Sequence, residues 1–248
     1  MKGHLEILPS TSALLHAAAD TIVACLQQQI RSGGAAAIAL SGGTTPRGVY
    51  ELLGSKEYLG RVEWKNVHLF WGDERCVGPA MPESNYRMAN EALVRNIGIP
   101  SGNVHRIHGE AQPAVAARDY ETDIRRWFGL KEGEFPRFTL VLLGLGEDGH
   151  TASLFPGTRV LQENHRIVSE VFVESLNRFR VTLTFPAINN ASTVLVLVSG
   201  RSKAGILKEV YSAVDERFPA QRIEPTSGRL LWLVDSEAAS QLPNTDHA

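Results

Sequence analysis

The sequence predicts an α/β fold, a mainly parallel sheet flanked by helices, and three observations carry that prediction. Short apolar runs recur without polar alternation, as strands buried on both faces require. Between many of them lie segments with apolar residues at three- and four-residue steps, the spacing of an amphipathic helix. Four of the apolar runs end abruptly in loops of glycine, hydroxyl and charged residues, and ligands on open α/β sheets sit outside the carboxyl ends of the strands. With 248 residues, 43% of them hydrophobic, the chain has enough apolar material for a sizeable core. No low-complexity linker, charge block or internal repeat divides it, so residues 1–248 are expected to form one domain, with 1–4 and 242–248 peripheral.

The elements follow in order. Leu5-Glu6-Ile7-Leu8 is a first strand ended by Pro9, and Ser10, Thr11 or Ser12 then caps a helix. Leu15, Ala18, Ala19, Ile22, Val23, Leu26 and Ile30 form its core-facing stripe, and Gly33-Gly34 stops it. Residues 35–40 are a second buried strand, running into Ser41-Gly42-Gly43-Thr44-Thr45-Pro46-Arg47, where Pro46 suits the first turn of a helix. Residues 67–71 read as a third strand, closing on Gly72-Asp73-Glu74-Arg75. A helix begins near Pro82-Glu83-Ser84-Asn85 and ends near Gly98, and residues 115–127 form another. The run 138–143, between Pro136 and Gly144, is the next buried strand. Residues 167–173 and 180–185 have strand character. Residues 193–198 form an apolar strand ending in Ser199-Gly200-Arg201-Ser202-Lys203, with a helix over 202–211. A last strand spans 230–234, and Asp235 or Ser236 caps a short terminal helix.

Composition removes several function classes. Twenty-five Lys and Arg against 27 Asp and Glu give a formal charge of -2, which offers no nucleic-acid surface. Cys25 and Cys76 make no C-x-x-C pair and no metal pattern with the histidines, and His105-Arg106-Ile107-His108 lacks a third ligand nearby, so no metal site is expected. His16 and Asp20 interrupt the alanine-rich N-terminal stretch, and no run is long enough to span a bilayer. The expectation is a soluble cytoplasmic protein that binds no membrane.

Chemistry concentrates after residue 143. Gly144-Leu145-Gly146-Glu147-Asp148-Gly149 matches G-x-G-x-x-G, but the dinucleotide fingerprint brings bare backbone to a pyrophosphate, whereas Glu147 and Asp148 would place negative charge against it. Phe155-Pro156-Gly157 also arrives too soon for the helix that fingerprint needs. What stands is Asp148-Gly149-His150, a carboxylate two residues from an imidazole on a strand-end loop. Histidine works as a general base near neutral pH, and a nearby carboxylate fixes its tautomer. A solvated loop histidine is the bland alternative. The stretch Ser41 to Thr44 suits an anion, because residues without Cβ let successive N–H groups converge and the hydroxyls add donors. It lacks Walker A spacing, and a plain strand-to-helix turn is its alternative.

Taken together, Ser41-Gly42-Gly43-Thr44, Trp71-Gly72-Asp73-Glu74-Arg75, Ser84-Asn85-Tyr86-Arg87, the run from Gly144 through Asp148-Gly149-His150 to Phe155-Pro156-Gly157, Arg180-Val181-Thr182-Leu183-Thr184 and residues 199–203 resemble the 6-phosphogluconolactonases. The resemblance runs in family order from about residue 5 to residue 241. It implies a modified Rossmann-like fold shared with glucosamine-6-phosphate deaminases. It also implies hydrolysis of 6-phospho-D-glucono-1,5-lactone to 6-phosphogluconate in the oxidative pentose phosphate pathway, without a cofactor. The deaminases share the Ser-Gly-Gly-Thr cradle and the Asp-Gly-His loop, but theirs continues into Asn-Glu-Pro where this chain has Leu154-Phe155-Pro156, and they show Asp-Glu-Tyr where it has Asp73-Glu74-Arg75.

On that resemblance His150 is the expected base, Asp148 orients it, and Arg75 or loop N–H groups face the oxyanion. The Ser41, Gly42, Gly43 and Thr44 cradle holds the phosphate with Arg180 and Lys203, while Asp73 and Asn85 meet sugar hydroxyls or cap a turn. The expected partner is a small phosphorylated sugar lactone. No G-x-S-x-G elbow is present, so water attacks directly. The alternatives are a deaminase or isomerase of glucosamine 6-phosphate, a metal-dependent hydrolase, and a binding module without catalysis, which would have no need of His150.

Overall fold

The structure is a computed structural model that describes residues 3–212 and 216–243. Six strands form a wholly parallel sheet: β1 (His4–Leu8), β2 (Ala36–Leu40), β3 (Val67–Trp71), β5 (Leu140–Gly144), β8 (Thr193–Val198) and β9 (Arg229–Asp235), in the order β1-β9-β8-β5-β2-β3. Every residue of β2 and β8 is buried, as a sheet covered on both faces demands. Three further strands, β4 (Asp73–Arg75), β6 (Val168–Val173) and β7 (Arg178–Leu183), form a separate antiparallel sheet in the order β4-β7-β6. The expected mainly parallel α/β architecture is therefore present, but the two late strands stand outside the parallel sheet. The expected loop after β3 is itself strand β4, because the chain crosses to the second sheet at Gly72, whose N–H donates to Leu40 O and whose carbonyl accepts from Leu183 N.

Among the described residues six α-helices accompany these strands: α1 (Thr11–Arg31), α2 (Thr44–Leu53), α3 (Asn85–Ala92), α4 (Pro113–Phe128), α5 (Phe185–Asn189) and α6 (Ala204–Ser212). Ser10 caps α1 by accepting from Ala13 N at 3.2 Å, and Leu14, Ala18, Ile22, Val23 and Leu26 form its buried stripe. Gly129, in the left-handed region at φ 65°, closes α4. The helix α5 was not visible in the apolar pattern. It is five residues long, too short to show a 3.6-residue period. The expected terminal helix is a 3₁₀ turn, Ala238–Gln241, and Asp235 caps it by accepting from Ala238 N. Residues 1–2 and 244–248 of the expected peripheral termini lie outside the described residues.

The sheet order positions the site. From β2 the chain moves to β3 on one side, and β5 lies on the other, so the winding reverses between β2 and β5. Crevices of this kind open at the carboxyl ends of such strands. Two buried tyrosines fix the neighbouring strand ends in the same manner. Tyr50 Oη accepts from Ser41 N and donates to Ser41 O, both at 2.8 Å; Tyr120 Oη does likewise with Trp71 N and O, at 2.7 and 2.9 Å. Burial pushes both phenols far above their ordinary range, so each hydroxyl keeps the proton that its donor role needs.

Candidate active site

A cleft of about 250 Å³ opens at this switch point. Nine of the eleven residues expected from sequence line it: Ser41, Gly42, Gly43, Thr44, Asp73, Arg75, Asn85, His150 and Lys203. Asp148 stands behind His150. Arg180 does not line the cleft.

The cradle is shaped by two glycines. Gly43 sits at φ 103°, a conformation that side chains resist, and is the N-cap of α2. Gly42 has no room for a side chain, since a Cβ there would stand 2.0 Å from Asn85 Oδ1. No side chain caps α2 and Pro46 has no N–H, so the N–H groups left without an intrahelical or capping partner are those of Thr44 and Thr45, and the positive end of the helix opens at the cleft. Thr45 Oγ1 and Ser199 Oγ, 2.7 Å apart, tie the cradle to the loop after β8. Lys203 reaches the cleft from that loop and is only loosely engaged, 3.9 Å from the exposed Glu147.

The second wall is Asp73-Glu74-Arg75. The buried Asp73 accepts from Asn85 Nδ2 at 3.2 Å and from Ser153 Oγ at 2.6 Å. Glu74, 2% exposed, accepts from the backbone N–H groups of Arg75, Asn85 and Tyr86, each at 2.7 Å, and from Ser84 Oγ at 3.0 Å. Burial pushes the Glu74 carboxyl above the ordinary glutamate range, although its backbone donors pull it back. Glu74 thereby pins the start of α3, and with it Asn85, against the cleft. Arg75 Nη1 donates to Glu83 O, while its buried Nε has no hydrogen-bond partner among the described residues. Arg180 is directly opposite Arg75 across the β4–β7 pairing, and its Nε is likewise buried and unpaired. Burial, then the neighbouring Arg75, push the Arg180 guanidinium below its ordinary range, against the pull of Asp73 and Glu74.

The histidine loop closes the third side. Gly146 N donates to His150 O at 2.8 Å and Gly149 N to Gly146 O at 3.0 Å, which folds residues 146–150 into a tight turn. Asp148 Oδ1 bonds His150 Nδ1 at 2.5 Å and accepts from His150 N at 3.1 Å. Burial alone would raise the Asp148 carboxyl, but the His150 ring and its bonds hold it below the ordinary aspartate range. Because an ionised carboxylate only accepts, Nδ1 carries the hydrogen of the neutral ring and Nε2 keeps its lone pair. No helix follows residue 149. Thr151 and Leu154 form an isolated bridge instead, in keeping with rejection of the dinucleotide fingerprint.

The sequence reading did not single out Glu74, Thr45, Ser153 and Ser199 as site residues. Thr45 and Ser199 adjoin the motifs, so proximity was an available signal. Ser153 and Glu74 act through distant partners that no spacing rule displays. The His105 cluster lies elsewhere, with His105 between His68 Nδ1 at 3.0 Å and Asp123 Oδ2 at 2.7 Å. Among the described residues no group of three His, Cys, Asp or Glu side chains is arranged to hold a metal, and no helix is long and apolar enough to cross a membrane.

Fold and site together define a modified Rossmann-like α/β protein in which a histidine–carboxylate pair shares one cleft with the Ser41 to Thr44 loop. Residues 9–232 match the family described as glucosamine-6-phosphate isomerases/6-phosphogluconolactonase, and the chain belongs to that family. The 6-phosphogluconolactonase of Nostoc sp. is 41% identical over 245 residues, covering 98% of this chain and 99% of that protein. The 6-phosphogluconolactonase of Synechocystis sp. is 38% identical over the same shares. Among solved structures, the 6-phosphogluconolactonase from Trypanosoma cruzi superposes with a TM-score of 0.88 at 32% identity, covering 99% of this chain and 98% of that one. A monomeric glucosamine-6-phosphate deaminase shares the fold, with a TM-score of 0.78 at 22% identity over 96% and 99% of the two chains.

Proposed function

We propose that this protein hydrolyses 6-phospho-D-glucono-1,5-lactone to 6-phosphogluconate, the lactonase step of the oxidative pentose phosphate pathway, by histidine-assisted attack of water. The observation that carries this reading is that His150, with Nδ1 held by Asp148, lines the same cleft as the Ser41 to Thr44 cradle and Lys203. A δ-lactone already has an electrophilic carbonyl, so catalysis needs a positioned water, a base and an oxyanion partner. His150 Nε2 takes a proton from water as its oxygen attacks the carbonyl carbon. The tetrahedral oxyanion faces Arg75, and Arg180 behind it adds positive field. As the bond from the carbonyl carbon to the ring oxygen breaks, the imidazolium returns its proton to that oxygen. The carboxylic acid so formed then ionises.

The cradle and Lys203 hold the phosphate remote from this chemistry, and that grip sets the ring against the attacking water. Asn85 and Asp73 face the sugar hydroxyls. Arg180, expected from the family pattern to touch the phosphate, acts in this reading through Arg75. Like charges directly opposite across a strand pair are unfavourable, so an anion in the cleft beside Arg75 relieves a conflict that the protein alone leaves standing. Two unpaired cysteines support a reducing, cytoplasmic setting.

The test is acid release from freshly generated 6-phosphogluconolactone by the wild type and His150→Ala, with unphosphorylated gluconolactone as control. The expected result is wild-type activity well above spontaneous opening, loss of most of it in the variant, and poor turnover of the control. A wild type that does not exceed the spontaneous rate overturns the reading and sends the search to glucosamine 6-phosphate. A fully active variant overturns the role of His150 alone.

A further inference from the structure

We infer that Phe155 is a positioning residue for the base, holding the His150 ring in its working plane and stabilising the imidazolium formed during turnover. The ring centroids of His150 and Phe155 are 4.0 Å apart and their planes 27° from parallel, a stacked arrangement. The opposite face of the imidazole lies against bare backbone. A Cβ on Gly146 would stand 2.1 Å from Nδ1 and 2.2 Å from Cε1, so this position admits no side chain while the histidine keeps its place. Asp148 takes the Nδ1 edge. The imidazole is thus closed on both faces and on one edge, which leaves Nε2 for the cleft.

Phe155 is itself held before any substrate arrives. It is 7% exposed, Leu154 N donates to Thr151 O at 2.9 Å, and Phe155 O accepts from Thr158 Oγ1 at 2.6 Å and from Thr158 N at 3.2 Å. The turn that presents it needs Ala152 at φ 48°, a conformation that non-glycine residues seldom adopt. The loop cannot retreat from the ring either. Phe218 packs where a Gly149 side chain would be, and Ala220 N donates to Gly149 O at 3.1 Å. An ordinary core position would be served by any apolar side chain of this size. A flat ring laid along an imidazole does something more, because its π face attracts the cation that a general base becomes and forbids the ring flip that would withdraw Nε2.

The kinetic half of this inference rests on the lactonase reading; the spectroscopic half does not. Phe155→Leu keeps apolar bulk and removes the ring face, whereas Phe155→Tyr and Phe155→Trp keep the face. The expected result for Phe155→Leu is a kcat lower by roughly tenfold with KM within about twofold, and both aromatic variants within about threefold of wild type. In parallel, imidazole ¹⁵N shifts at constant pH report one tautomer for His150 in the wild type and a mixture in Phe155→Leu. Unchanged kcat and ¹⁵N shifts in Phe155→Leu overturn the inference, as do aromatic variants as impaired as the leucine one. Should Phe155→Leu fail to fold, Phe155→Met supplies the same comparison. If the wild type hydrolyses no lactone, the proposed function fails and the ¹⁵N comparison still decides the role of Phe155.

Discussion

Replacing Glu74 by glutamine tests whether one buried carboxylate builds the second wall of the cleft. Its two oxygens accept from four donors, with Arg75 and Asn85 N–H on Oε1 and Tyr86 N–H and Ser84 Oγ on Oε2. Glutamine has one accepting oxygen, and its amide nitrogen accepts nothing. With that oxygen in the place of Oε1, the Ser84 hydroxyl turns to accept, but the Tyr86 N–H is left facing hydrogens. An orphaned buried donor costs about 1–3 kcal/mol, and the surviving bonds lose their charge assistance. Against this, the uncharged side chain escapes the burial cost that raises the Glu74 carboxyl. The net expectation near neutral pH is a loss of about 2 kcal/mol, or about 4–8 °C in Tm for a chain of this length.

The pH dependence separates this account from generic damage. The native state holds the Glu74 proton more tightly than the unfolded chain does, because the folded carboxyl is raised. The stability from this group is therefore fully present below the ordinary glutamate value and lost as pH rises through the raised one. Other carboxylates titrate alike in both proteins, so the Tm gap between wild type and Glu74→Gln should widen from about pH 7.5 to about pH 4.5. Thermal melts followed by circular dichroism read both quantities, and as both residues lose their anchor KM should rise through Asn85 and kcat fall through Arg75. A gap below about 1 °C, or one that narrows on acidification, refutes the reasoning.

Asp148→Asn should keep near-native circular dichroism and lose about 10²–10⁴-fold in kcat, because an amide can leave His150 in the wrong tautomer; a change below tenfold sinks the orienting role. The depressed Asp148 carboxyl supports the fold above the ordinary aspartate value, and that support is lost as pH falls through its lowered value, so only the wild type should show the extra acid sensitivity. Lys203→Ala should raise KM at least tenfold for the phosphorylated lactone and leave the feeble turnover of unphosphorylated gluconolactone unchanged; equal effects on both would remove Lys203 from the phosphate. Tyr50→Phe removes the side-chain clamp on Ser41, orphans a buried N–H and should cost about 1–3 kcal/mol; denaturant midpoints at constant slope would measure it.

The parallel core was legible because burial on both faces leaves an unmistakable mark. Ala36 to Leu40 and Thr193 to Val198 contain no residue that needs water except one threonine, and both became central strands. The cleft was legible for a related reason: polar residues cannot follow such strands unless the chain has reached an open end. What could not be read is where two distant segments meet. Asp73-Glu74-Arg75 looked like a loop because three charged residues score poorly as a strand, yet β7 supplies its hydrogen bonds and the cleft uses its charges. Arg180 was expected at the phosphate, and its place opposite Arg75 across β4 and β7, off the cleft lining, could not be read from the sequence. Phe155 entered the sequence reading as the residue standing where the deaminases have glutamate, and its stacking on His150 is a contact that spacing never displays.

The second sheet explains why the charged triplet is arranged as it is. Alternate side chains of a strand point to opposite faces, so Asp73 and Arg75 share the face toward the cleft while Glu74 turns to the start of α3. Directly opposite residues across an antiparallel pair also share a face, which gives Asp73 the company of Thr182. Those two receive the exit of the histidine loop, Thr182 Oγ1 accepting from Ser153 N at 3.2 Å and Asp73 Oδ2 from Ser153 Oγ at 2.6 Å. The histidine loop therefore hangs between the two sheets, its entry on β5 and its exit on β4 and β7. Gly72, bonded to Leu40 on the parallel side and Leu183 on the antiparallel side, is the seam that keeps those two supports in register. Such a seam suits the proposed water attack, in which His150 Nε2 and Arg75 would reach the substrate from different sheets and any slip between them would misalign both at once.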